Sequence, residues 1–119
     1  MRNEKPNPAR DKSYSFALHI INLYKYLVEN RKEFVLSKQL VRSGTSIGAN
    51  VEEAIGGQSK KEFASKMSIA YKECRETHYW LRLLRDSGYL ESQQSETILN
   101  ECVELCKIIG TIVRSTFSE

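Results

Sequence analysis

The fold of this chain is decided by the stretch Leu36-Ser-Lys-Gln-Leu-Val-Arg-Ser-Gly-Thr-Ser-Ile-Gly-Ala-Asn-Val-Glu-Glu-Ala-Ile55, which Gly56-Gly57 separates from a second run ending near Gly88. Apolar or small residues recur in both runs at alternating steps of three and four, the spacing of one helix face. They are Leu40, Gly44, Ile47, Val51 and Ala54 in the first run, and Phe63, Met67, Ala70, Cys74, Thr77, Leu81 and Leu84 in the second. This pattern predicts two antiparallel helices joined by a short turn.

The composition indicates one ordinary globular domain. The chain has 119 residues, of which 40% are hydrophobic and 28% charged, and no apolar run approaches the roughly 20 residues needed to cross a bilayer. No signal peptide is recognisable in the charged N-terminal residues, so we expect a cytoplasmic protein without a membrane partner. Its three cysteines lie in helical runs, which favours reduced thiols.

Four helices are predicted, in an all-α, up-down-up-down antiparallel bundle over residues 13–119. Residues 1–12 contain both prolines and four basic side chains, which indicates a flexible basic arm. Ser13 is the expected N-cap of the first helix, which should end near Asn30 to Lys32, and Ser37 is the expected cap of the second.

The second helix must pass through Ser43-Gly-Thr-Ser-Ile-Gly-Ala49, a poor helix-forming run. Since its apolar phase is unbroken, we expect it to be continuous, with a small face that another backbone approaches closely. Gly56-Gly57 should end it, and Ser59-Lys-Lys-Glu62 has the capping-box pattern that starts a third helix reaching Asp86. A fourth helix should begin near Ser92.

A turn centred near Gln58 sets the register of the second and third helices. It places Ala54 beside Phe63, Val51 beside Met67, Ile47 beside Ala70, Gly44 beside Cys74, and Leu40 beside Thr77. The same register predicts ion pairs from Arg42 to Glu73 and Glu76, and from Lys66 to Glu53.

No arrangement typical of an enzyme is found. His19 and His78 fall on different helices, and the sequence has no Gly-rich phosphate loop and no recognisable nucleophile motif. We therefore expect neither catalysis nor a cofactor. Cys74 with His78, and Cys102 with Cys106, could supply four zinc ligands, but cysteines in apolar phases more often act as small core residues, and we expect no metal.

Two surfaces are candidates for binding. Residues 37–86 hold nine Lys/Arg against six Asp/Glu, whereas residues 87–119 hold two against five, so one side of the molecule should be basic. The candidate nucleic-acid surface comprises Arg42, Lys60, Lys61, Lys66, Arg75 and Arg82. The aromatic side chains of Tyr71, Tyr79 and Trp80 fall partly outside the core phase and are candidates for a subunit interface.

Several of these segments resemble the bacterial four-helix-bundle family named after the intervening sequence of 23S ribosomal RNA genes. The likeness lies in Ser13-Tyr-Ser-Phe-Ala-Leu-His-Ile-Ile-Asn-Leu-Tyr-Lys-Tyr-Leu27, Leu40-Val-Arg-Ser-Gly-Thr-Ser-Ile-Gly-Ala-Asn-Val-Glu-Glu-Ala54, Ser59-Lys-Lys-Glu-Phe63 and Ile69-Ala-Tyr-Lys-Glu-Cys-Arg-Glu-Thr-His-Tyr-Trp-Leu81. The resemblance implies a ring-like homo-oligomer, a pentamer, with a polar signature at Ser46, Asn50, Glu53, Lys60 and Glu76.

The resemblance carries no accepted catalytic set. A more distant likeness is to the accessory variability protein of diversity-generating retroelements, a pentameric bundle that assists a reverse transcriptase and binds nucleic acid. We therefore expect a non-catalytic binding or scaffold module whose partners are itself and RNA, DNA or a nucleic-acid-processing protein. The alternative is a protein–protein adaptor without nucleic-acid contact.

Overall fold

The computed structural model describes residues 5–118, which form four α-helices and no strand. They are α1 (Pro8–Glu29), α2 (Leu36–Ile55), α3 (Lys60–Asp86) and α4 (Ser92–Phe117). Each helix packs on its neighbours in the chain, and α4 closes the arrangement against α1. The predicted all-α class and four helices are confirmed. Within the described residues, no helix is long and apolar enough to span a membrane.

Helix α1 begins six residues earlier than predicted. Asn7 is its N-cap, with a side-chain oxygen that accepts the Arg10 N–H at 3.0 Å, and Pro8 occupies the first turn. Proline is favoured there because its fixed φ suits the helix and its missing N–H would have had no partner. Ser13 is buried inside the helix and its hydroxyl donates to the Arg10 carbonyl, so the predicted start at Ser13 is wrong. Of the predicted arm, residues 1–4 lie outside the described residues.

Glu33, not Ser37, caps helix α2. The buried Glu33 carboxylate accepts the backbone N–H groups of Val35, Leu36 and Ser37 at 3.1, 3.0 and 2.6 Å. Ser37 instead lies in the first turn, where its hydroxyl donates to the Glu33 carbonyl. Burial raises the pKa of Glu33, but the three N–H donors together outweigh it and hold the pKa below its usual 4.5. Sequence reasoning assigned the cap to a serine because carboxylates four residues upstream are not a standard cap pattern.

The glycine-containing segment of α2 is helical throughout, as predicted, and its small face packs against α1. A Cβ at Gly44 would lie only 2.8 Å from Ile20 Cγ2, and one at Gly48 would lie 3.3 Å from Ser13 Oγ. The close approach at Gly44 is therefore between α1 and α2. The atoms nearest to a side chain at Gly44 are those of Ile20 on α1, rather than those of Cys74 on α3.

The predicted register of α2 and α3 is confirmed by its ion pairs. Arg42 pairs with Glu73 at 3.4 Å and also with Glu76, and Lys66 pairs with Glu53 at 2.9 Å. A buried hydrogen bond was not anticipated: the Thr77 hydroxyl donates to Ser43 Oγ at 2.9 Å. Both hydroxyls are fully buried, and each also contacts a backbone carbonyl of its own helix. An offset of one residue would remove the hydrogen bond that joins the two helices and is therefore disfavoured.

Substitution of Gly44 by leucine should destabilise the bundle. The new side chain would displace Ile20, and overpacking of this kind costs about 1–3 kcal/mol in the free energy of unfolding. Gly56→Ala is the matched control, because a Cβ at Gly56 meets no atom closer than 3.6 Å. Urea denaturation should show a lower midpoint for Gly44→Leu and little change for Gly56→Ala; equal midpoints would refute the close approach.

Glu33→Gln should lower the free energy of unfolding at pH 7 by about 1 kcal/mol, the usual size of a cap contribution. The pKa of Glu33 is depressed in the folded protein, so its stabilising effect is present above the unfolded value of 4.5 and is lost as pH falls through the folded value. Denaturation curves of wild type and variant should therefore converge below pH 4.5. A difference that persists unchanged at acidic pH would contradict this role.

Candidate nucleic-acid interface

The six predicted basic residues do not form one surface. Arg42 and Lys66 are occupied in the ion pairs that join α2 to α3. Lys60 and Lys61 are exposed at the start of α3, and Lys60 lines a shallow cleft near the end of α4. Only Arg75 and Arg82 lie together, in a groove between α3 and α4.

This groove, the α3–α4 groove, has a volume of about 440 Å³. The α3 residues are spaced by three or four positions. On α4 two adjacent residues follow Val103 by three and four positions, and the last follows by a further seven, so one continuous face of each helix lines the groove. Its lining residues are Tyr71, Arg75, His78 and Arg82 on α3, with Val103, Cys106, Lys107 and Arg114 on α4. Four of these side chains are permanent cations and none is a carboxylate, which makes the groove strongly positive.

The cations of the α3–α4 groove have no carboxylate partners within residues 5–118. Arg75 donates to the Tyr71 hydroxyl at 3.2 Å, and Arg114 donates to Thr111 Oγ1 at 3.2 Å. The Arg82 guanidinium lies 5.8 Å from the centre of the Tyr79 ring. These neutral contacts orient the side chains without a salt bridge, unlike the contacts of Arg42 and Lys66.

His78 adds a neutral group to this positive wall. Burial, followed by the positive charge of Arg82, lowers the pKa of His78 below its usual 6.5. The imidazole is therefore uncharged at neutral pH, where it can donate or accept one hydrogen bond. The arginines supply planar, multiple N–H donors that match phosphate oxygens, so the groove has the chemistry of a phosphate site.

His78, Lys107 and Arg114 were not predicted from the sequence as members of this surface. Helix α4 was expected to be acidic, but its charges are segregated around its circumference. Glu101 and Glu104 face α1, where they contact His19 and Lys12, whereas Lys107 and Arg114 face the groove. Their separation of seven residues, which places both on one helix face, was the available signal.

The polar signature implied by the family resemblance serves internal contacts. Ser46 and Asn50 donate to the backbone carbonyls of Arg42 and Ser46 at 2.6 and 2.8 Å. Glu53 pairs with Lys66, and Glu76 accepts the Trp80 indole N–H at 3.0 Å as well as contacting Arg42. Apart from the exposed Lys60, the signature residues therefore form contacts within α2 and α3 and between these two helices.

The three aromatic candidates for a subunit interface differ in environment. Tyr71 packs on α4, where a Cβ at Gly110 would lie 3.0 Å from its ring. Trp80 is half-buried and meets Tyr79 edge-on, with ring centres 5.0 Å apart. Tyr79 is 46% exposed, so it is the member of this set with the most surface left for a partner.

Beneath the groove lies a cluster of three thiols. The sulfur atoms of Cys74, Cys102 and Cys106 all lie within 4.8 Å of one another. Cys74 and Cys102 are buried in the core, whereas Cys106 is half-buried and lines the groove. Three thiolates at this spacing could hold a soft metal ion. His78 is outside the cluster, so the four-ligand zinc set considered from the sequence is not assembled.

Comparison with known proteins places these features in a family. The sequence profile of the 23S rRNA-intervening sequence protein family matches residues 7–111. A crystal structure at 1.70 Å resolution, of a protein of unknown function from the S23 ribosomal protein family of Bacteroides thetaiotaomicron, is 50% identical in sequence, with a TM-score of 0.87. The match covers 88% of this chain and 97% of that one.

No curated protein matches the sequence. Neither the family description nor that of the solved structure names a catalytic activity. A profile match over most of the chain, together with a similar solved structure at 50% identity, establishes the relationship. The chain belongs to the 23S rRNA-intervening sequence protein family.

Proposed function

We propose that this protein is a non-catalytic binding module of the cytoplasm, which assembles as a homopentamer and binds the phosphate backbone of nucleic acid in the α3–α4 groove. One observation carries the proposal. The groove gathers Arg75, Arg82, Lys107 and Arg114 without any carboxylate partner in the described part of the chain. Uncompensated cations on one face attract polyanions.

The groove favours binding that does not depend on the nucleotide sequence. Arginine and lysine contacts to phosphate fix the position of a strand but do not read its bases. Tyr71 lies at the groove beside Arg75, and an aromatic ring at such a site can stack on an unpaired base of any identity. We therefore expect single-stranded RNA or DNA to bind, with an affinity that falls steeply as salt increases.

Assembly into a pentamer would place five copies of this weak binding site on one particle. A single groove with four cations binds a polyanion weakly, but five copies of the groove on one ring would bind a long strand together. The pentamer is supported by the family resemblance and by exposed apolar side chains. Tyr14 and Tyr79 are 65% and 46% exposed, and exposed aromatic residues are enriched at subunit interfaces.

A protein–protein adaptor without nucleic-acid contact is the second candidate. It is favoured by one observation, the exposure of Phe34 and Val35 in the connection between α1 and α2, at 58% and 72%. Adjacent exposed apolar residues mark a site for another protein. A partner that is a nucleic-acid-processing enzyme would be consistent with both candidate functions.

Removal of two groove cations should weaken nucleic-acid binding. In fluorescence anisotropy with labelled single-stranded RNA and DNA at low salt, Arg82→Gln/Lys107→Gln should bind about tenfold or more weakly, since each charge-assisted hydrogen bond contributes on the order of 1.5 kcal/mol. The slope of log affinity against log salt should become shallower by about one for each phosphate that the variant no longer binds.

Lys25→Gln/Lys38→Gln is the matched control, because it removes the same net charge from exposed positions on α1 and α2. Equal losses in the two double variants would show a diffuse charge effect rather than a groove. The adaptor alternative predicts no binding by the wild type even at low salt.

Light scattering should give a mass of five times the 13.7 kDa chain that is the same at low and high salt, because apolar contacts are little affected by screening. Tyr79→Ser should shift the distribution towards smaller species. Phe117→Ser removes a more exposed aromatic, at 78%, from the end of α4 and should leave the mass unchanged. A wild-type monomer would refute the assembly.

A further inference from the structure

We propose that Cys106 and Cys74 form a peroxide-oxidisable thiol pair, in which Cys106 at the base of the α3–α4 groove is the reacting thiol and Cys74 is the resolving thiol. This proposal concerns covalent chemistry of the chain and does not depend on nucleic-acid binding. It rests on the geometry of the thiol cluster, the path from solvent to one of its members, and the charges around that member.

The two sulfur atoms are close enough to react. Cys74 Sγ and Cys106 Sγ are 2.7 Å apart across the contact between α3 and α4. Neither cysteine is bonded in a disulfide. A disulfide requires side chains that point towards each other, and the short distance between the two sulfur atoms shows that this pair meets that condition.

Access to the cluster is asymmetric. Cys106 lines the α3–α4 groove, which opens to solvent, whereas Cys74 and Cys102 are fully buried. The buried thiols lie near each other's backbone carbonyls, with Cys74 Sγ 3.7 Å from the Cys102 oxygen and Cys102 Sγ 3.6 Å from the Cys74 oxygen. A small oxidant entering from the groove would therefore reach Cys106 first.

The surroundings favour a thiolate at Cys106 alone. Hydrogen bonding with Cys102 and Cys74, supported by the charge of Arg75, lowers the pKa of Cys106, although burial opposes it. The same hydrogen bonds and burial raise the pKa of Cys74, which keeps its proton. An accessible thiolate next to a protonated partner thiol is the arrangement of redox-sensing cysteines.

The reaction needs a hydroperoxide as oxidant. The Cys106 thiolate attacks one peroxide oxygen, so that an S–O bond forms, the O–O bond breaks, and hydroxide leaves and takes a proton from solvent. Cys74 sulfur then attacks the Cys106 sulfenic acid; the S–S bond forms, the S–O bond breaks, and the hydroxide departs as water with the proton of Cys74. The two sulfurs together lose two electrons, and one hydrogen peroxide becomes two waters.

The test treats the reduced full-length protein with hydrogen peroxide, then unfolds it and alkylates the remaining thiols before mass spectrometry. The wild type, which has three free cysteines, should retain one alkylatable thiol, and peptide mapping should find the Cys74–Cys106 disulfide. Dithiothreitol should restore all three.

The variants separate the roles of the three cysteines. Cys102→Ser is the matched control, because it changes an equally buried thiol one helical turn from Cys106, and it should still form the disulfide. Cys106→Ser should form none. Cys74→Ser should stop at a sulfenic acid on Cys106 that dimedone traps; should this variant fail to fold, the same trap applied to the wild type early in the reaction gives the equivalent result.

The surrounding charges give an independent readout. Arg75→Gln should slow the reaction of Cys106 at neutral pH, whereas Arg85→Gln, which removes an exposed cation paired with Asp86, should not. The proposal is overturned if all three thiols survive peroxide, if oxidation stops at the sulfenic acid in the wild type, or if the disulfide joins Cys102 to either neighbour.

Discussion

The contact between α2 and α3 determines how the rest of the molecule presents its charges. Thr77 and Ser43 share a buried hydrogen bond at 2.9 Å, and Arg42 next to it binds Glu73 and Glu76. This contact fixes the rotation of α3 about its own axis. The acidic flank of α3, with Glu73 and Glu76, is turned to α2 and neutralised there, so Arg75 and Arg82 on the opposite flank form no salt bridge within the described residues.

Helix α4 completes the same separation of charge. It directs Glu101 and Glu104 towards α1, where His19 and Lys12 meet them, and directs Lys107 and Arg114 towards α3. The net charge of +3 would not by itself indicate a polyanion-binding protein. The separation of acids and bases around two helices is what produces a positive groove.

The sequence predicts the helices better than it predicts the groove. Hydrophobic periodicity reports which face of a helix is buried, so the four helices, the continuity of α2 through Gly44 and the ion pairs of Arg42 and Lys66 could all be derived. Helix starts depend on single contacts. The cap provided by Asn7 was not predicted because the basic, proline-containing residues before Ser13 indicate a flexible arm, although Asn followed by proline is also a helix-start pattern. The cap provided by Glu33 was not predicted because its carboxylate lies four residues before Ser37.

The groove and the thiol cluster depend on the pairing of α3 with α4. The sequence brings Cys74, Cys102 and Cys106 to similar heights on these helices, but the rotation of α4 decides that three sulfurs converge while His78 remains outside. That rotation follows from packing on α3 and α1 at once. Lys107 and Arg114 were not predicted as groove residues for the same reason. In addition, the average composition of α4 is acidic.

Photo-crosslinking of the intact protein to a single-stranded uridine-rich RNA, followed by mass spectrometric mapping, would locate a bound strand on the surface of the protein. If the uncompensated cations of the α3–α4 groove hold the strand, crosslinks will lie on groove-lining residues such as Tyr71 and His78, and will disappear at high salt. Crosslinks confined to residues outside the groove, such as Tyr14 or Tyr24 on α1, or crosslinks that survive high salt unchanged, would contradict it.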